Sequence, residues 1–275
     1  MRTASKEIRI SPGLKIGGAG GFFLIAGPCV IESRDHCFSL ARRLKNICGR
    51  LNVPFIFKAS FDKANRSSLR SFRGPGLEKG LEILQEIKHR LGIPVLSDLH
   101  ETDQVERAAE VLDVIQIPAF LCRQTDLLLA AAKTQKPINI KKGQFLSPHD
   151  MKNVVEKIES RGNKKIILTE RGTMFGYNNL VVDLRSIPIM KVWGYPVVID
   201  ASHSVQKPGG QGTASGGDRE FIPAMAKAGI SVGADGVFLE VHDNPAAALS
   251  DKDNSLKMNE LEELLKALLR LKKAL

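Results

Sequence analysis

Phe22-Phe23-Leu24-Ile25-Ala26-Gly27-Pro28-Cys29 is an apolar run that stops at a turn and a thiol. The same pattern returns seven more times. Phe55-Ile56-Phe57 stops at Lys58, Val95-Leu96 at Ser97-Asp98, and Val114-Ile115 at Gln116. Ile138-Asn139-Ile140 stops at Lys141, and Ile166-Ile167-Leu168 at Thr169-Glu170-Arg171. Val197-Val198-Ile199 stops at Asp200-Ala201-Ser202-His203, and Val237-Phe238-Leu239 at Glu240. Short, nearly continuous apolar runs are the pattern of strands in a parallel sheet. Polar groups gathered at the carboxyl ends of eight such strands point to an α/β fold closed as a (β/α)8 (TIM) barrel, whose catalytic rim lies there.

Apolar spacing of three and four predicts helices over 35–51, 77–91, 102–112, 148–159 and 256–274. Thr102 is the expected cap of the third, and Ser147, ahead of Pro148, of the fourth. Strand and helix in alternation mean repeated βαβ units. An open doubly wound sheet would collect its ligands at one switch point, not at every strand end. The chain therefore reads as one barrel domain over 1–275, with 1–21 forming a hairpin around Pro12-Gly13 that caps the bottom.

At 275 residues, 43% hydrophobic and 25% charged, the composition is that of a globular protein with a substantial core. No apolar run is long enough to span a bilayer, and the N-terminus has no secretory pattern, so a cytoplasmic protein with no membrane partner is expected. Cys29, Cys37, Cys48 and Cys122 form no CxxC pair and are expected as thiols. The net charge of +10 calls for anionic partners. One Trp and two Tyr, with no basic stretch interleaved with aromatics, give no stacking platform, so no nucleic acid is expected.

Cys29, His203 and Glu240 end the first, seventh and eighth strands, which are neighbours in a closed barrel, and Asp251 follows on the next loop. A thiolate, an imidazole and two carboxylates suit a divalent transition metal such as Zn²⁺, Fe²⁺ or Mn²⁺. Lys58 to Ser68 carries two lysines, Asn65, Arg66 and hydroxyls at one strand end, while Lys141 and Arg171 end the fifth and sixth strands. So many cations on one rim require a multiply charged ligand, which points to phosphorylated substrates with two anionic groups bound at once. Lys142 reads as a surface charge. The glycine-rich stretch from Pro208 to Gly217 reads as a mobile rim loop or a lid over the site. No GxSxG, HExxH or Walker pattern is present, which leaves a Schiff-base lysine, Lys58 or Lys141, as the rival chemistry.

GPCVIES at 27–33, KANRSS at 63–68, SDLHE at 97–101, QIPAFLCRQTDLL at 116–128 and NIKKGQF at 139–145 occur in one chain. LTERG at 168–172, DASHSVQ at 200–206, SGG at 215–217 and FLEVH at 238–242 complete the series. Together they resemble the 3-deoxy-D-manno-octulosonate 8-phosphate synthase (3-deoxy-8-phosphooctulonate synthase) family, over about 8–270. The resemblance implies a cytoplasmic homotetramer that condenses phosphoenolpyruvate with arabinose 5-phosphate for lipopolysaccharide. It implies the metal-dependent branch, since the other branch has asparagine where Cys29 stands, with Cys29, His203, Glu240 and Asp251 as ligands. Asp253 is a second candidate for the fourth. It places Lys58, Lys63, Gln116, Lys141 and Arg171 around phosphoenolpyruvate. Asn65, Arg66, Ser67 and Asp98 hold the sugar, and Arg123 reaches a neighbouring subunit's sugar phosphate. Lys58, Lys63, His203 and Asp251 are the expected catalytic residues. The closest rival is 3-deoxy-D-arabino-heptulosonate 7-phosphate synthase, which takes erythrose 4-phosphate and carries a KPRT- or KPRS-like motif where this chain has KANRSS.

Overall fold

The structure is a computed structural model that describes residues 4–210 and 216–275. Eight parallel strands, Phe23–Gly27, Phe55–Lys58, Val95–Asp98, Val114–Ile117, Ile138–Lys141, Ile166–Glu170, Val197–Asp200 and Gly236–His242, pair in chain order. The eighth pairs with both the first and the seventh, so the sheet closes into the barrel read from the strand ends. After each strand comes one α-helix: Arg34–Arg50, Leu77–Leu91, Gln104–Val111, Thr125–Lys133, Met151–Glu159, Ser186–Lys191, Ile222–Ser231 and Leu261–Ala274. Among the described residues no helix is long and apolar enough to cross a membrane.

Strand alternation divides the apolar residues into two cores. One face of each strand packs on the helices, where Leu24, Phe57, Val95, Ile140, Leu168 and Val237 are buried. The other face fills the barrel with Phe23, Ile25, Ile56, Leu96, Val114, Ile167, Val198 and Phe238. The hairpin Ser5–Ser11 and Leu14–Gly18 plugs the lower opening, and its Ile8, Ile10 and Ile16 join that inner cluster. Each buried isoleucine contributes roughly 1.5–3 kcal/mol, an upper value because the unfolded chain is already partly collapsed.

The inner column turns polar two residues further along six of the strands. Ile56 is followed by Lys58, Leu96 by Asp98, Val114 by Gln116, Ile167 by Thr169, Val198 by Asp200 and Phe238 by Glu240, and all of these polar side chains are buried. A period of two thus carries each of these strands from barrel core to rim without a change of face. Gly27 allows the first two strands to meet at the rim. A Cβ there would run into the Lys58 carbonyl oxygen, so no other residue fits.

Three local expectations are corrected. The helix expected over 102–112 runs Gln104–Val111, and Thr102 is not its side-chain cap. Instead the Gln104 carboxamide oxygen accepts the His100 and Glu101 amides, at 3.0 and 3.4 Å. Ser147 does cap, accepting the His149 amide at 3.2 Å, but it starts a 3-10 turn that leads into Met151–Glu159. Lys142 is not a surface charge. It is 1% exposed, 3.7 Å from Glu170, and it donates to the Gly143 and Leu146 carbonyls and to Thr173 Oγ1. It points away from Lys141, yet the loop after the strand folds over it. Residues 211–215, the middle of the stretch read as a lid, lie outside the described residues. Gln206–Lys207 and Gly216–Gly217, at its two ends, pair antiparallel.

Candidate functional site at the barrel rim

A cavity of about 720 Å³ opens over the carboxyl ends of the strands. Its walls include Lys58, Lys63, Asn65, Arg66, Ser67, Asp98, Gln116, Lys141, Arg171, His203, Asp251 and Asp253. The expected substrate residues therefore converge, with one exception. Arg123 is exposed and lies outside this lining.

The cations are of two kinds. The lysines already face carboxylates: Lys58 donates to Glu240 Oε1 and the Cys29 carbonyl, both at 2.9 Å. Lys141 donates to Asp200 Oδ2 at 2.7 Å, and Lys63 lies 3.7 Å from Asp98 Oδ2. Burial pushes the Lys63 ammonium down, but Cys29, Asp98, Glu240 and Asp251 around it outweigh that and hold its proton more firmly than usual. The arginines differ. Arg66 is fixed through Nε to the Phe72 carbonyl at 3.0 Å, and Arg171 through Nη2 to Gln206 Oε1 at 2.9 Å. Arg66 Nη2 and Arg171 Nη1 are buried donors with no hydrogen-bond partner among the described residues. Buried donors left unmatched cost on the order of 1–3 kcal/mol each, more when charged. Two such guanidinium arms on one cavity can pair with anionic acceptors.

Asp98 is the opposite pole. Burial pushes its carboxyl up, but Lys63, Lys58 and their neighbours hold it well below the usual carboxylate range, so it is an anion and accepts only. It accepts from Ser60 Oγ at 2.6 Å and from Gln116 Nε2.

The four candidate metal donors lie in a chain of contacts. Cys29 Sγ is 2.8 Å from Asp251 Oδ2 and 2.9 Å from Ser250 Oγ. His203 Nε2 is 3.6 Å from Glu240 Oε1 and 3.7 Å from Asp251 Oδ2. Burial and then Asp251 push the Cys29 thiol up to about 12, so without a cation it keeps its proton at neutral pH. Glu240 is fully buried, and its Oε2 has no partner. A thiol, an imidazole nitrogen and two carboxylates linked in this chain, one with an unmatched buried oxygen, are donor types that suit a divalent transition metal, although among the described residues no three of them draw within 4.8 Å of one another. Asp251 adopts a left-handed backbone, φ 48°, and makes these contacts itself, which favours it over Asp253 as the fourth donor.

Two residues that the strand-end reading passed over complete this corner. Asp200 accepts His203 Nδ1 at 2.8 Å, the His203 amide at 2.9 Å and Lys141 Nζ at 2.7 Å. The carboxylate lies closer to Nδ1 than does the Lys141 ammonium, at 3.4 Å, so Nδ1 carries the proton and Nε2 offers its lone pair. Gln206 donates to Asp251 Oδ1 at 3.2 Å while accepting Arg171, and so links the two halves of the rim. Both stand in DASHSVQ. The end of the run Val197-Val198-Ile199 at Asp200 was the available signal.

A second donor cluster, Glu32, His36 and His242, has its ligand atoms within 4.8 Å of one another. Its hydrogen bonds argue for a tether. Asn244 N–H donates to His242 Nδ1 at 3.0 Å, while His242 Nε2 lies 3.4 Å from Glu32 Oε1 without a hydrogen bond among the described residues. The same Glu32 oxygen accepts the Leu249 amide at 2.8 Å, two residues before Asp251.

A family model described as the DAHP synthetase I family matches residues 5–275. The chain is 59% identical over 264 residues to a 2-dehydro-3-deoxyphosphooctonate aldolase of Trichlorobacter lovleyi, covering 96% of this chain and 97% of that one. It is 57% identical over 269 residues to the protein of the same description from a Cyanothece strain, covering 98% of each. The Geobacter sulfurreducens protein of that description is 57% identical over 264 residues, covering 96% and 97%.

Proposed function

The chain belongs to the DAHP synthetase I family, and on that premise we propose that it condenses phosphoenolpyruvate with D-arabinose 5-phosphate and water. The products are 3-deoxy-D-manno-octulosonate 8-phosphate and inorganic phosphate, the former a precursor of lipopolysaccharide. The relatives at 57–59% identity are all named for the octulosonate reaction, which disfavours the erythrose 4-phosphate alternative. The observation that carries the reading is the pair of unmatched guanidinium arms, Arg66 Nη2 and Arg171 Nη1, on one cavity. Two phosphorylated substrates bound together supply the two anionic acceptors.

The residues divide the work by position. Lys58, Lys63, Gln116, Lys141 and Arg171 surround phosphoenolpyruvate, and Asn65, Arg66, Ser67 and Asp98 hold the sugar. Carbon 3 of the enol ester forms the new bond to the aldehyde carbon, whose oxygen takes a proton. Water adds at carbon 2 and loses a proton, and the tetrahedral intermediate expels phosphate by C–O cleavage to leave the ketone. Holding two mutually repelling anions at bonding distance is the main task of this chain, and fixed cations do it without reorganisation. Lys58 and Lys141 are engaged as ammonium donors to Glu240 and Asp200, which favours electrostatic work over Schiff-base chemistry. A divalent zinc, iron or manganese ion held by Cys29, His203, Glu240 and Asp251 would supply Lewis-acid polarisation in the same cavity. The metal-binding protein so described acts in the cytoplasm as a homotetramer, with Arg123 at a neighbouring subunit's sugar phosphate.

The test is phosphate release with both substrates present, with the organic product identified by mass. The expected result is one phosphate per octulosonate 8-phosphate formed and none from phosphoenolpyruvate alone. Metal-replete protein that makes no such product would overturn the proposal.

A further inference from the structure

The barrel holds a buried polar belt level with the substrate residues Asp98, Gln116 and Lys141. Thr169 Oγ1 donates to Asn139 Oδ1 at 2.6 Å, and Asn139 Nδ2 donates to Gln116 Oε1 at 2.8 Å. Gln116 Nε2 then donates to Asp98 Oδ1, while Ser60 Oγ donates to Asp98 Oδ2 at 2.6 Å from the other side. Asn139, Thr169 and Ser60 are fully buried and Gln116 is nearly so. Asp98 and Gln116 line the cavity, whereas Asn139, Thr169 and Ser60 do not.

The direction of every bond in this chain is forced. Asp98 is an acceptor, so Gln116 must turn its NH2 toward it. The Gln116 oxygen must then face Asn139, which must answer with its own NH2. The Asn139 oxygen is left to Thr169, whose hydroxyl must donate. No second arrangement satisfies all five groups, because reversing either carboxamide sets oxygen against oxygen. Directly beneath the belt, on the same strands, the barrel interior is apolar, with Leu96, Val114 and Ile167 in the inner cluster. Burying an amide and a hydroxyl in the belt costs free energy unless each is matched, so their return lies in what they orient.

We propose that Asn139 and Thr169 are positioning residues that fix the Gln116 carboxamide and, through it, the Asp98 carboxylate. Neither touches substrate. Their effect is to lock an N–H donor, not an oxygen, at the boundary between the phosphoenolpyruvate and sugar subsites. The oriented group at that boundary meets the hydroxylated aldehyde end of the aldose phosphate. This assignment of subsites rests on the function proposed above, whereas the orientation of Gln116 does not.

The experiment compares Thr169→Val with Thr169→Ser. Valine matches threonine in shape but leaves the Asn139 oxygen without its donor, and serine restores the hydroxyl. The expected result is a 10- to 30-fold fall in kcat/KM for the aldose phosphate in Thr169→Val. The KM for phosphoenolpyruvate, whose subsite Gln116 lines, should rise as well, and Thr169→Ser should recover both to within threefold of wild type. Crystal structures of wild type and Thr169→Val supply a readout independent of activity. Gln116 should keep one orientation in the first and rotate or split in the second. Unchanged kinetics, or an equal loss in the valine and serine variants, would overturn the proposal, as would a Gln116 that stays fixed without the hydroxyl. Should wild type prove inactive with arabinose 5-phosphate, the functional reading fails while the crystallographic arm still decides the belt.

Discussion

Asp200→Asn removes one charge and almost no volume from beneath the metal corner. Asp200 is fully buried and makes three contacts, at 2.7, 2.8 and 2.9 Å, two of them through Oδ2. Asparagine keeps an oxygen for the His203 amide but presents NH2 where Oδ2 stood. His203 Nδ1 then meets a donor, and the ring prefers the tautomer with its proton on Nε2, the nitrogen that faces Glu240 and Asp251. Binding a metal requires the ring to switch back against that donor. The loss is one hydrogen bond to a charged group, about 1.5–3 kcal/mol, or roughly 10- to 100-fold in affinity. The buried Lys141 also loses its carboxylate, and breaking such a pair costs up to about 3–5 kcal/mol of stability. Affinity is therefore measured well below the melting temperature, by competing metal-free protein against a chelating zinc indicator. A zinc affinity within twofold of wild type, in a folded Asp200→Asn protein, refutes the tautomer argument.

Arg66→Ala should raise KM for the aldose phosphate about 10- to 100-fold, the value of charge-assisted phosphate contacts, with a smaller effect on phosphoenolpyruvate; steady-state kinetics in each substrate check it. Gly27→Ala should destabilise the protein by about 3 kcal/mol, read from its urea midpoint, because the new Cβ strikes the Lys58 carbonyl at the rim. Borohydride with phosphoenolpyruvate or the aldose phosphate should leave no adduct by mass spectrometry, since the Lys58 and Lys141 amines stand in ion pairs.

The barrel was legible because each strand changes character at the rim, and a period of two keeps its inner column on one face. The helices Thr125–Lys133, Ser186–Lys191 and Ile222–Ser231 were not marked by periodicity. The first is alanine-rich, the second spans only six residues, and the third holds both Pro223 and Gly229. Lys58, Lys63, Asp98, Gln116, Lys141, Arg171, His203 and Asp251 announce themselves as charged or polar groups where strands end, and the cavity gathers them. Asp200, Asn139 and Thr169 act through neighbours on other strands, as the separation of 59 positions from Lys141 to Asp200 illustrates. No local pattern encodes such a partner. Lys142 misleads for the converse reason: its sequence context matches that of Lys141, and only the fold of the following loop buries it.

The central proposal is that one rim cavity takes phosphoenolpyruvate and a five-carbon aldose phosphate beside a metal held by Cys29, His203, Glu240 and Asp251. The direct measurement is the initial rate of phosphate release from phosphoenolpyruvate with arabinose 5-phosphate and with erythrose 4-phosphate, each before and after chelation. The account predicts a clear preference for arabinose 5-phosphate, loss of the rate on verified metal removal, and its return with a divalent ion. A preference for erythrose 4-phosphate, or full activity without metal, would contradict it.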